Sequence, residues 1–242
     1  MRQDKDVDLL IKHINAKIDL AGTAEEPTRY WASLPLCVID SVWSIQAKYE
    51  TQVLPLIDRF CRSQTPQWDG QDYARRRDSG PTITEFVDLL DHCLTQGETY
   101  ETLFGNRQRT SSRGGILKAE AVHLFAKALS DSGINKYSDM KKQHKLAEAE
   151  KRILSIPGQR SGLTFTYFLM LSGENNYVKG DSHIRRFVSE ALSIGLHHLT
   201  EQKQAAMLLT EAATKLSIDY PGLTPVKLDY AVWSYQSNLK WN

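Results

Sequence analysis

Little in this chain points to a metal, a disulfide framework or a membrane. Its three cysteines, Cys37, Cys61 and Cys93, lie far apart with no Cys-x-x-Cys spacing. That excludes the dense pairing of small secreted scaffolds and the ligand spacing of zinc or iron-sulfur sites. No apolar run approaches the roughly twenty residues needed to span a bilayer, and no apolar signal core follows the opening Met-Arg-Gln-Asp-Lys-Asp-Val-Asp. The expectation is a soluble protein of the cytoplasm. Charge of one sign is missing too: 30 Lys and Arg stand against 29 Asp and Glu. Bulk electrostatic attraction therefore cannot hold the protein on DNA or anionic lipid, and any nucleic-acid site has to be a local patch. There is no internal repeat, no low-complexity tail, and no series of alternating strands joined by hairpin turns.

What is present is helical periodicity. Val7, Leu10, Ile11, Ile14 and Ile18 share one face of a segment over 5–20, and residues 36–61 continue as two helical stretches with a bend expected near Pro55. Thr82-Ile83-Thr84-Glu85 reads as a capping box ahead of Phe86, Val87, Leu89 and Leu90. Further helices are expected at about 116–130, 139–154, 161–172, 181–195 and 201–217, with a closing helix behind Thr224-Pro225. The fold class is all-α, and 242 residues suffice for one large or two small domains. Two polar stretches interrupt the pattern: 62–81, with Arg75, Arg76 and Arg77, and 105–115, with Arg107, Arg109 and Arg113.

The most informative segment is 153–187. Pro157 lacks an N–H and Gly158 tolerates positive φ, so the two end one helix; Gly162 lets the next start tightly against the turn. Amides exposed at such a helix start can hold a phosphate. An apolar helix follows, and then Asp181 opens another.

Ile156-Pro157-Gly158 followed at this spacing by Asp181-Ser182-His183-Ile184 resembles the Leu-Pro-Gly hairpin and catalytic Asp-Thr-His of the helix-hairpin-helix DNA glycosylase superfamily. Ser44-Ile45-Gln46-Ala47 is similar to that family's Ser-x-Gln-Ala turn, whose glutamine fills the hole left by a flipped base. Ile116-Leu117-Lys118-Ala119-Glu120 resembles the helix that precedes the hairpin. The matches run from about 34 to 190 in the family's order. The resemblance implies a bilobal helical fold: a central bundle over 33–170 carrying the hairpin, and a second lobe built from 1–32 and 171–242, with Asp181 at the cleft between them. Three departures qualify it. Arg160 stands where the family has a second glycine, and can add a charge-assisted phosphate contact. Gly162 stands at the Schiff-base lysine, which implies a monofunctional enzyme, with Lys179 and Lys118 left as alternative amines. No cysteine follows Asp181, so the iron-sulfur loop of some members is absent.

The implied activity is excision of a damaged or modified base from double-stranded DNA by a monomer without a cofactor, a structural monovalent cation at the hairpin being left open. Asp181 would stabilise an oxocarbenium-like sugar or activate water. Gly158, Arg160, Gly162, Gln46, Arg109, Arg113 and Lys118 would contact DNA, with Gln46 as the wedge. Trp43, Tyr49, Trp31 and Trp233 would line a pocket for the extruded base. Plainer roles stay open: Asp181 as a helix cap, His183 as a packing residue, Gln46 as a surface residue, Trp43, Trp233 and Tyr235 as core, and the arginines as solvated charge. A non-catalytic DNA-binding module or a helical protein-interaction domain would share most of these features.

Overall fold

The computed structural model describes residues 2–26, 31–64, 68, 80–194 and 201–239. The Arg75–Arg77 cluster lies outside them. Among the described residues the fold is all-α: twelve α-helices, a π turn at Tyr49–Val53 and a 3₁₀ turn at Tyr137–Lys141, with a lone antiparallel bridge between Arg109 and Leu117. The chain divides into two compact units, residues 1–28 with 173–242, and residues 29–172.

The larger unit holds α3 (Leu34–Trp43), α4 (Leu54–Gln64), α5 (Ile83–Thr95), α6 (Tyr100–Phe104), α7 (Lys118–Asp131), α8 (Gln143–Leu154) and α9 (Leu163–Leu171). All ten residues of α3 are buried, and α4, α5, α7 and α9 pack around it. An aromatic cluster anchors the core, with Phe60 stacked on Phe104 at 4.8 Å and Trp43 against the same ring at 4.8 Å. Such pairs add to area burial because offset and edge arrangements satisfy the ring quadrupoles. The capping box of α5 forms as the spacing requires: Glu85 N–H donates to Thr82 Oγ1 at 3.2 Å, and Thr82 N–H to Glu85 Oε2 at 2.7 Å.

The expected bend near Pro55 lies earlier. Pro55 stands at the second position of α4, where a missing N–H is tolerated. The break is the 44–48 turn and the π turn after it, where Gln46 takes φ 54°. Between α8 and α9 the chain turns through bonds from Ile156 N–H to Ile153 O, Gln159 N–H to Ile156 O and Gly162 N–H to Gln159 O. Gly158 and Gly162 both have positive φ there, 86° and 74°. α6 was not anticipated; its Leu103 and Phe104 are too short a run to show a period.

The smaller unit contains α1 (Arg2–Lys17), α2 (Leu20–Glu25), α10 (Ser182–Ala191), α11 (Gln202–Leu216) and α12 (Pro225–Asn238). Val7, Leu10 and Ile14 of α1 bury against α11, and α10 packs on both α11 and α12. Asp19 separates α1 from α2 by capping the second, its Oδ1 accepting from Gly22 N–H at 3.1 Å. The unit boundaries fall a few residues from 33 and 170, so Trp31 belongs to the larger unit. No helix among the described residues is long and apolar enough to cross a membrane.

Candidate functional site

Two groupings of the residues singled out in the sequence emerge, one in each unit. In the larger unit the 105–117 connection ties three of them together. Thr110 Oγ1 donates to Pro157 O at 3.1 Å, fastening the connection to the glycine turn. Thr110 N–H to Ile116 O and Lys118 N–H to Gln108 O fold it back on itself. Lys118 Nζ then reaches Ile45 O at 2.6 Å, Trp43 O at 3.0 Å and Gln108 Oε1 at 3.3 Å. The glycine turn, the arginine-bearing connection and the Gln46 turn are thus mechanically linked. Gln46, Arg109, Arg113 and Arg160 are all exposed.

Within the glycine turn, the N–H groups of Gly158, Arg160 and Ser161 have no acceptor among the described residues. A side chain at Gly158 would overlap Thr110, so glycine is needed there for both space and φ. Arg109 spends one Nη on Gly115 O at 2.8 Å, and Arg107 pairs with Glu101 at 2.8 Å, which leaves Arg113 and Arg160 the less engaged guanidiniums.

Several expected site residues have other surroundings. Lys118 is only 3 % exposed and binds the end of α3, so its ammonium is not available for a direct phosphate contact; the first turn of α7 packs it beneath the Gln46 turn. Trp43 lies in the aromatic core, where its indole N–H finds no acceptor among the described residues. Trp31 is buried and Tyr49 half-buried, and both point at a residue that the sequence reading passed over. Asp40 of α3 is fully buried: Oδ2 accepts from Trp31 Nε1 at 2.8 Å and Tyr49 Oη at 3.0 Å, and Oδ1 from Ser44 Oγ at 2.6 Å. The signal was a single acid inside Leu-Pro-Leu-Cys-Val-Ile-Asp-Ser-Val-Trp.

The smaller unit holds Asp181. It is the N-cap of α10, with Oδ1 accepting from His183 N–H at 2.9 Å and Ile184 N–H at 3.3 Å. Oδ2 has no partner among the described residues, and the side chain is half-exposed. His183 packs edge-on to Trp233 at 6.2 Å, and Trp233 stacks on the exposed Tyr230 at 6.0 Å. His183 Nδ1 is buried without a partner among the described residues. Trp233 thus borders the aspartate's helix from α12.

A second carboxylate accompanies Asp181. Asp229 is 6 % exposed, and its Oδ1 accepts from Lys179 N–H at 3.0 Å. Burial, and then the charge of Asp181, push its pKa up to about 7 against the smaller pull of Lys179. A buried carboxylate with raised proton affinity beside a second acid is a frequent feature of acid-base sites. The signal for Asp229 was its register: Pro225, Leu228, Asp229, Val232 and Gln236 form the buried face of α12, so an acid occupies an apolar position.

Among the described residues no group of His, Cys, Asp and Glu is arranged to hold a metal. No curated protein and no solved structure matches the chain. Residues 8–237 match a family described as a domain of unknown function, DUF8548, and at that coverage the chain belongs to it.

Proposed function

We propose that this protein is a monofunctional DNA glycosylase of the helix-hairpin-helix type. The reading rests above all on the 105–117 connection, which bonds through Thr110 to the glycine turn and through Gln108 to Lys118, the residue that holds Ile45 of the Gln46 turn. A duplex-distorting enzyme needs that coupling, because the backbone grip must hold DNA in register while a wedge occupies the gap. The free amides at Gly158, Arg160 and Ser161 suit a phosphate, Arg160 and Arg113 suit its neighbours, and Gln46 is an exposed wedge.

Asp181 supplies the chemistry. Departure of the base leaves positive charge on the sugar, which a carboxylate beside C1′ stabilises. Oδ1 is held by the α10 cap, which orients the carboxylate and leaves Oδ2 for the sugar or the attacking water. Asp229 holds a proton near neutral pH and thereby spares Asp181 a second adjacent charge. With Gly162 at the position of the Schiff-base lysine, water is the nucleophile. The enzyme acts as a monomer on double-stranded DNA, and no cofactor enters the step.

The test is a panel of duplexes carrying alkylated, oxidised or enzymatically modified bases, scored for abasic sites. Excision of at least one, lost in Asp181→Asn with DNA affinity retained, is the expected result. Tight, salt-sensitive binding with every duplex intact overturns the catalytic reading. It would favour a DNA-binding module in which Asp181 only caps α10, a duty its two amide bonds already fulfil. Absence of salt-dependent affinity would remove DNA as the partner altogether.

A further inference from the structure

The 44–48 turn is held from both sides by groups that are costly to bury. On one side lies the carboxylate of Asp40, fully removed from solvent and taking the Ser44 hydroxyl at 2.6 Å, the Trp31 indole at 2.8 Å and the Tyr49 hydroxyl at 3.0 Å. On the other lies the Lys118 ammonium, which binds the carbonyls of Trp43 and Ile45. Ser44 and Tyr49 flank the turn, so Asp40 closes it like a clasp. Lys48 N–H donates to Gln52 Oε1 at 3.0 Å and fixes its far end. Between these supports sits Gln46, exposed and in left-handed backbone at φ 54°. A glutamine rarely adopts that conformation unless its surroundings impose it.

Capping needs neither buried charge: a glycine at 46 and water on the carbonyls would end α3 at less cost. We infer that Asp40 and Lys118 are positioning residues that lock the 44–48 turn so that Gln46 projects as a pre-formed wedge into duplex DNA. The inference rests on the DNA reading above and extends it, since Asp40 reaches the turn through Ser44 and Tyr49. The strain at Gln46 is installed during folding, so inserting the side chain orders little further.

The experiment uses the full chain and the variants Ser44→Ala, Tyr49→Phe, their combination, and Lys118→Met. The first two loosen the clasp without leaving a new buried charge. A DNA-free arm follows hydrogen exchange at the amides of 44–48. A second arm measures fluorescence of 2-aminopurine beside a stable abasic analogue in a duplex, which reports filling of the gap whatever base the enzyme excises. Gln46→Asn, which tolerates left-handed backbone but is shorter, serves as the wedge control. The double variant should exchange 44–48 about tenfold faster, with the rest of the unit unchanged. Its fluorescence response at saturating protein should fall to that of Gln46→Asn, while affinity changes less than about twofold because phosphate contacts carry it.

Unchanged exchange at 44–48 in the double variant and in Lys118→Met overturns the positioning role, whatever happens with DNA. Faster exchange with an undiminished fluorescence response overturns it as well. Faster exchange together with no response from the unmodified protein overturns the DNA reading instead, and the locked turn stands as a property of the fold.

Discussion

Asp40 and Asp229 are both buried aspartates on helices, one in each unit, and they meet the cost of burial in opposite ways. Asp40 collects three side-chain donors over its two oxygens, from an indole and two hydroxyls. Asp229 has a single backbone amide and another carboxylate nearby, and its proton affinity rises accordingly. Donors can offset much of the desolvation of a buried acid, whereas a like-charged neighbour adds to it. The first arrangement makes a rigid support and the second a titrating group. This is the division of labour expected between a positioning element and a reactive site.

That contrast can be broken most directly by pH. Asp229 binds its proton more tightly folded than unfolded, so the folded state holds the extra proton and stability falls as pH rises. The loss begins near the ordinary value of 3.8 and is complete above about 7. A shift of that size corresponds to roughly 4 kcal/mol at alkaline pH. Asp229→Asn should abolish the decline, unfolding at higher denaturant than the parent at pH 8 and with little difference at pH 4. Denaturation series at the two values read this out. A parent whose stability is flat between pH 4 and 8 would show that Asp229 ionises without penalty.

Under the proposed glycosylase function the next effect is catalytic. Asp181→Asn should lower excision about 100- to 1,000-fold, as loss of one pre-oriented stabiliser of transition-state charge does. The cap should largely survive, since an asparagine oxygen still accepts from His183 and Ile184. Abasic-site yield against melting temperature separates the two duties.

Asp40→Asn should carry the sign opposite to Asp229→Asn. One carboxylate oxygen becomes an NH₂ and the charge-assisted bonds from Ser44, Trp31 and Tyr49 are weakened or lost, costing about 1–3 kcal/mol. Gly158→Ala combines positive φ with a Cβ that overlaps Thr110, and a cost of about 1–2 kcal/mol is expected. Calorimetric melting checks both. The smallest effect is electrostatic: Arg113→Gln and Arg160→Gln should each reduce the slope of log affinity against log salt by about 0.9 and leave melting unchanged.

Much of the helical layout was legible along the chain. The capping box at Thr82–Glu85, the α1 stripe and the glycine turn at 158–162 are local chemistry, and each appears where its residues require. Site residues were read less evenly. Tyr49 and Trp31 were expected at a base pocket and instead donate to Asp40, and Lys118 was expected on DNA and instead lies beneath the Gln46 turn. Aromatic and basic residues suit a nucleic-acid surface and a buried polar network equally well, so their identity alone cannot separate the two. An acid on an apolar face was the better clue, at Asp40 and at Asp229 alike.

Membership of the all-α class, the helix starts and the position of the glycine turn follow from the sequence by itself, because capping, periodicity and proline or glycine placement act over a few residues. Tertiary structure decided which polar groups meet. Lys118 with Ile45 and Asp229 with the field of Asp181 depend on distant helices arriving at one place, and Trp31 and Tyr49 reach Asp40 only because the chain on either side of α3 folds back on it. The free energy of a buried charge is set by the neighbours that packing supplies, not by its own type.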